Sequence, residues 1–186
     1  MRTLNGKTIA ILSMDGFEQS ELLEPRAKFK EAGATVHVVS LKSGELRGWD
    51  KDDWGKSVAV DKLLDDVKPD DYDALVIPGG QINPDLLRAE PKAVQFVQAF
   101  NRSGKPIGAI CHGPWMLIEA GIAKGRRMTS YQSIRTDLKN AGAQVEDAEA
   151  VVDQGIVTSR KPDDIPAFVD ALAEEIAGGK TYSRAA

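Results

Sequence analysis

The sequence predicts an α/β domain in which a mostly parallel sheet is covered by helices on both faces. Three observations carry that expectation. Short β-branched apolar runs alternate along the chain with segments of helical periodicity, an order that calls for parallel strands joined by helical crossovers. The strand runs are apolar at consecutive positions, as strands buried on both faces must be. The 186 residues, 42% hydrophobic and 28% charged, suit a single globular domain spanning residues 1–186.

The elements follow in order. Thr8-Ile-Ala-Ile-Leu-Ser-Met14 reads as a buried strand. A helix is expected from Ser20 to Ala32, with Leu22, Leu23, Ala27 and Phe29 on its buried stripe and Gly33 as its C-cap. Thr35–Leu41 is a second strand, closing a right-handed β-α-β unit. Lys42 to Lys56, with Trp49 and Trp54 embedded, reads as a loop or small excursion, possible as a hairpin ending at Val58-Ala-Val60. The two tryptophans are expected to serve loop packing or an interface, because no basic patch surrounds them.

Asp73–Pro78 is the next strand and runs into Gly79-Gly80. Pro91 fits the first position of a helix whose stripe is Ala93, Val94, Val97 and Phe100, closed by Gly104. Lys105–Ile110 is a strand and Gly113–Ala120 a helix. Shorter strands are expected at Met128–Ser130, Ala148–Val152 and Ile156–Ser159, with a helix over Ser133–Ala141. The last helix covers Ile165–Ala177, and the tail from Gly178 to Ala186 is expected to fray.

Charge and composition narrow the function. A net charge of −4 argues against nucleic acid or an anionic membrane as partner. No apolar run approaches the roughly 20 residues of a membrane span. The first residues lack the layout of a signal peptide, and one cysteine allows no internal disulfide, which together point to a reducing, cytoplasmic setting. Two histidines and one cysteine, far apart, make a poor metal set, so no metal is expected. Gly79-Gly80 lacks the spacing of a phosphate loop and reads as a turn where backbone approaches the site.

In open α/β sheets ligands bind beyond the carboxyl ends of the strands. The window Gly108-Ala-Ile-Cys-His-Gly-Pro114 falls at that edge. A buried strand ends, one nucleophilic residue follows, and a helix starts at once, with small residues two before and two after the cysteine. That is the layout of a nucleophile elbow. It predicts an exposed Cys111 thiol that faces a helix N-terminus, where N–H groups and the helix dipole favour the thiolate and can hold an oxyanion. His112 is a general base or an incidental neighbour; spacing alone leaves both open. His37, in mid-strand, reads as structural. Glu18, Glu21 and Glu24 lie on or before the first helix, where acids ordinarily complement the dipole, but Glu18 and Glu21 share a face and one of them could reach the thiol.

These residues resemble a known family. Ala109-Ile-Cys-His-Gly-Pro114 is similar to the nucleophile elbow of the DJ-1/PfpI superfamily, Asp15-Gly-Phe-Glu-Gln-Ser-Glu-Leu22 to its first-helix signature, and Val76-Ile-Pro-Gly-Gly80 to its strand-to-loop signature. Thr129-Ser-Tyr131 and Val157-Thr-Ser-Arg-Lys-Pro-Asp-Asp164 resemble later stretches of the PfpI-like branch, the intracellular-protease or general-stress proteins. The resemblance implies a flavodoxin-like three-layer sandwich and a catalytic group of Cys111, His112 and Glu21, with Glu21 protonated against the sulfur. It places Glu18 and Tyr131 in the pocket, and Gly80 and Gly113 at the turn or oxyanion position. In PfpI-like members an acid after the Gly-Gly turn completes a triad across a subunit interface. Here the segment reads one residue longer and Asp85 is the acid available. A homodimer or higher homo-oligomer is implied, with no cofactor.

Three functions share these electrostatics. The first is a cysteine-dependent enzyme acting on small reactive carbonyls or glycated groups, converting methylglyoxal to lactate. The second is a peptidase using the same nucleophile. The third is an oxidative-stress sensor or protective protein through a Cys111 sulfinate. Fold alone does not choose among them.

Overall fold

In a computed structural model, which describes residues 2–184, the chain forms a seven-stranded sheet between two helical layers. The amino-terminal half supplies β1 (Thr8–Leu12), β2 (Phe17–Glu18), α1 (Gln19–Glu31), β3 (Thr35–Ser40), β4 (Glu45–Asp50), β5 (Asp53–Ala59), β6 (Lys62–Leu63) and β7 (Ala74–Ile77). The remainder supplies α2 (Ile82–Arg88), α3 (Pro91–Arg102), β8 (Ile107–Ile110), α4 (Pro114–Glu119), β9 (Arg127–Met128), α5 (Arg135–Asn140), β10 (Gln144–Val145), β11 (Ala150–Asp153), β12 (Ile156–Ser159) and α6 (Ile165–Gly178).

The strand order is β11-β12-β8-β7-β1-β3-β6, parallel throughout except for the antiparallel β11–β12 pair. Taking β1, β3, β7, β8 and β12 as the five principal parallel strands, the order is that of the flavodoxin-like fold, and the chain reverses its winding between β1 and β7. A crevice opens at such a point because the connections leave toward opposite faces.

Strand pleating sorts the core into two layers. Ile9, Ile11, Ala74 and Val76 face α1 and α6, together with Phe29, Phe168 and Leu172. Ala10, Leu12, Leu75 and Ile77 face the other way, against Phe96, Phe100 and Leu117. This is the predicted three-layer sandwich. Gly33, with φ +96°, ends α1 as expected, and Ala34 N–H reaches back to Phe29 O at 3.0 Å. Ala27 is exposed and Pro25 takes a buried place on the helix instead. His37 is structural: its Nδ1 lies 3.4 Å from the Tyr72 hydroxyl.

Four expectations are sharpened or corrected. Residues 42–60 take the hairpin alternative, as β4 and β5, with Trp49 and Trp54 paired across it edge to face at 5.5 Å. Residues 82–88, to which the sequence assigned no element, are helical: Asn83 ties the turn by accepting from Met14 N–H at 2.7 Å and donating to Pro78 O at 2.9 Å. The expected strand at Met128–Ser130 is a two-residue strand that pairs with β10 in a small sheet of its own.

The fourth concerns the tail. Tyr182 N–H donates to Gly104 O at 3.0 Å and its hydroxyl to Glu175 at 2.5 Å. Arg184, only 9% exposed, donates to Gln154 O at 2.8 Å and Lys105 O at 3.0 Å. Main-chain acceptors at the amino ends of β8 and β12 thus hold the segment through Arg184. The last two residues lie outside the described ones. No helix among the described residues is long and apolar enough to cross a membrane.

Candidate active site

β8 is apolar at every position, Ile107-Gly-Ala-Ile110, and fully buried, so it delivers the next residue to the carboxyl edge of the sheet. That residue is Cys111, at φ +62°. A residue with a Cβ seldom adopts this left-handed conformation, and about 1–2 kcal/mol of strain attends it. Two main-chain bonds fix the turn: Cys111 N–H donates to Ser159 O at 3.0 Å and Cys111 O accepts from Tyr131 N–H at 2.9 Å. The elbow expected from sequence is therefore present.

Three carboxyl-edge segments converge on the sulfur. From α1 comes Glu21, which has no exposed surface. Its Oε2 accepts from Gly79 N–H at 2.9 Å, while its Oε1 is buried without a hydrogen-bond partner. Burial first, and then the nearby Glu18 carboxylate, raise its pKa from 4.5 to about 8. Glu21 is a carboxylic acid at neutral pH and has a proton to give. From the β7 turn comes Gly79, where an added Cβ would lie 2.5 Å from Glu21 Oε2 and 2.7 Å from the Cys111 Cβ. Gly80 follows with φ +77°. The main-chain N–H groups of Gly80 and His112 are the ones directed at the Cys111 sulfur.

His112 completes the group. Its Nδ1 is 3.2 Å from Cys111 Sγ. The ring stacks on Tyr131, with centroids 4.9 Å apart, and meets Trp115 edge-on at 5.1 Å. Burial lowers its pKa, so the imidazole is neutral and able to accept a proton.

The cleft above these groups has a volume of about 570 Å³, within the usual range for small-ligand sites. Glu18 lies on its wall and also caps α1, its Oε1 accepting from Ser20 N–H at 3.2 Å. Trp49 and Lys51, from the β4–β5 hairpin, and Ile82, from α2, form the far side.

Several sequence expectations change here. Cys111 is 6% exposed rather than open, because the hairpin and α2 roof the elbow. Burial pushes the thiol up rather than down, as would any negative charge on Glu21, against the pull of the Gly80 and His112 N–H groups. The resting pair is therefore a thiol beside a carboxylic acid. Gly113 is a turn residue and no oxyanion donor, since its N–H is bonded to Ile110 O at 2.8 Å.

Asp85 sits on the exposed side of α2, outside the cleft of its own chain. Its Oδ1 accepts two bonds from Arg88, at 2.7 and 3.0 Å. The Arg88 guanidinium lies 4.3 Å over the Trp115 ring, whose edge meets His112. Trp49, expected in loop packing or an interface, lines the cleft. Trp115, Lys51 and Ser133 carried no sequence signal at all, because only the fold brings them near Cys111.

Fold and site together define an α/β protein with a cysteine on a strand-to-helix elbow at the carboxyl edge of its sheet, one strand from the winding reversal. Within that class the chain belongs to the DJ-1/PfpI family, which matches residues 7–175. It is 50% identical over 165 residues to General stress protein 18 of Bacillus subtilis, spanning 88% of this chain and 94% of that one. It is 45% identical over 163 residues to Protein/nucleic acid deglycase 2 of Escherichia coli, spanning 87% and 93%. Among solved structures, Drosophila melanogaster DJ-1beta superposes with a TM-score of 0.83 at 29% identity, covering 92% of this chain and 91% of that one. A two-domain protein from Anabaena variabilis with DJ-1/ThiJ/PfpI-like and ferritin-like domains gives a TM-score of 0.87 at 34% identity; 95% of this chain matches 49% of that longer one.

Proposed function

We propose that the protein is a thiol enzyme that consumes small 2-oxoaldehydes, free or added to amines, and that it turns methylglyoxal into lactate. The observation that carries this reading is the placement of Cys111 Sγ between a neutral imidazole nitrogen at 3.2 Å and a protonated carboxyl whose Oε1 has no partner. Relatives named deglycases, 45% and 47% identical, support it.

As the sulfur adds to the aldehyde carbon, His112 Nδ1 takes the thiol proton, and the carbonyl π pair becomes an oxyanion. The Gly80 and His112 N–H groups lie where they can hold that charge, and Glu21 can protonate it through Oε1. The product is a hemithioacetal. His112 gives the thiol proton to the neighbouring carbonyl oxygen and, neutral again, carries the former aldehyde hydrogen, as a proton, to that carbon by way of an enediol, while Glu21 recovers its proton from the first oxygen. One carbon is oxidised and the other reduced, giving a 2-hydroxy thioester without an external oxidant. Water cleaves the thioester, releasing the hydroxy acid and the free thiol. For an amine adduct the same attack expels the amine.

The test is lactate production from methylglyoxal, and amine release from its adducts, by purified protein beside a Cys111→Ser control. Turnover should fall about 1,000-fold or more in that variant, since oxygen is far the weaker nucleophile here. Retained turnover in Cys111→Ser would overturn the covalent route. Cys111-dependent cleavage of peptides, with 2-oxoaldehydes untouched, would overturn the substrate class.

A further inference from the structure

We infer that Ser133 completes the catalytic group from within the same chain, as the residue that positions His112. This rests on the thiol-enzyme reading, because positioning matters only if His112 moves a proton.

An imidazole that serves as a base must present one nitrogen with its lone pair and keep the other protonated. Here the two nitrogens have different partners. Nδ1 faces Cys111 Sγ and Nε2 faces Ser133 Oγ, each at 3.2 Å. With a proton on Nε2 donated to Ser133 Oγ, Nδ1 is free to receive the thiol proton. Tyr131 and Trp115 fix the plane of the ring, but stacking leaves it able to turn in or out of register with the sulfur. The hydrogen bond to Ser133 removes that freedom. Once Nδ1 is protonated, the Nε2–H bond to Ser133 becomes charge-assisted and stronger, so Ser133 favours the imidazolium.

The other charged groups around His112 do not do this. Glu18 and Glu21 lie across the cleft on the α1 side, and Lys51 lies on the hairpin. Asp85 on α2 is taken up by Arg88. Asp137 of α5 accepts from Trp115 Nε1 at 2.9 Å. The hydroxyl of Ser133, in the turn at Gln132–Ile134, is the polar group bonded to Nε2. A neutral hydroxyl steadies the imidazolium less than a carboxylate does. His112 consequently remains a weak enough base to return its proton in the later steps.

The experiment uses the whole protein with Ser133→Ala, Ser133→Thr and Ser133→Asp. Two histidines make the ring signals separable by nitrogen-15 NMR. Ser133→Ala should shift the His112 titration to lower pH and reduce kcat about 10-fold to 100-fold with KM little changed, the effect of one bond to a group that becomes charged. Ser133→Thr should restore both. Ser133→Asp should move the titration up by about one pH unit or more, as a carboxylate partner does. The rate of Cys111 alkylation by iodoacetamide against pH should follow the same order.

If the His112 titration in Ser133→Ala matches the unmodified protein, the inference fails, whatever turnover does. If Cys111→Ser stays active while the titration shifts as expected, the thiol-enzyme reading fails and the His112–Ser133 coupling stands. If turnover needs Cys111 but kcat is indifferent to Ser133, the positioning role fails alone.

Discussion

The two edges of the sheet treat buried polar groups in opposite ways. At the amino edge, Arg184 enters the protein as a cation and finds main-chain acceptors in Gln154 and Lys105. Burial and the nearby Arg126 lower its pKa only to about 10, so it keeps its charge at neutral pH. At the carboxyl edge, Glu21 is more deeply buried, keeps one oxygen unpartnered, and gives up its charge. Cys111 beside it adopts a backbone conformation suited to glycine. A buried group with all its partners contributes stability; one left short is held ready for something that binds. The difference teaches where the molecule is built to last and where it is built to react.

The largest effect that would break this contrast concerns Glu21. Its pKa is raised from 4.5 to about 8 in the fold. The unfolded chain therefore releases this proton at lower pH than the folded one. The stabilisation is complete below about pH 4.5 and is lost as pH climbs through about 8. At roughly 1.4 kcal/mol per pH unit, the change amounts to at most about 5 kcal/mol. Glu21→Gln keeps the acceptor for Gly79 N–H but cannot ionise. Denaturant midpoints measured from pH 4 to pH 9 should show the unmodified protein falling relative to the variant across that window. Parallel curves would mean that Glu21 is ionised in the fold and that the two edges are alike.

Next comes Gly79→Ala. The new methyl group would press on Glu21 Oε2 at 2.5 Å, the Cys111 Cβ at 2.7 Å and Ile110 O at 2.9 Å. Overpacking of this kind costs about 3 kcal/mol, which lowers the melting temperature by roughly 6–12 °C in a domain of this size. An unchanged melting temperature would show that the carboxyl edge has slack the contrast denies it. The smallest effect belongs to the other edge. Arg184→Ala should cost about 1–2 kcal/mol, as water replaces part of what the guanidinium supplied, and should leave turnover untouched. A loss of activity in that variant would join the two edges functionally.

Sequence reading succeeded where local pattern and tertiary role agree. β7 and β8 are apolar and buried at every position, and β1 nearly so, because parallel strands are covered on both faces, and the mostly parallel pairing followed from the alternation with helices. The elbow was legible for the same reason: the small residues at Ala109 and Gly113 are demanded by the turn itself. Residues 82–88 were not legible as a helix, since Asn83, Pro84 and Asp85 are turn formers by local preference, and contacts from Asn83 to Met14 and Pro78 override it. The expected protonated Glu21 agrees with its raised pKa, whereas the exposure of Cys111 was overestimated because Trp49 and Ile82, distant in the sequence, line the cleft above it. Glu18 and Glu21 looked equivalent three residues apart. The family resemblance told them apart, and the fold supplies the physical reason, a helix cap on the cleft wall for Glu18 and an acid sealed beneath it for Glu21.

The left-handed backbone at Cys111 has an evolutionary corollary. Glycine relieves that conformation, so at this position random variation filtered only for thermal persistence would drift toward Cys111→Gly. That exchange would discard the chain's single thiol. On the proposed thiol chemistry, a cysteine at this position is retained against the current of folding, and redesigns ranked by melting temperature alone would be expected to erase it first.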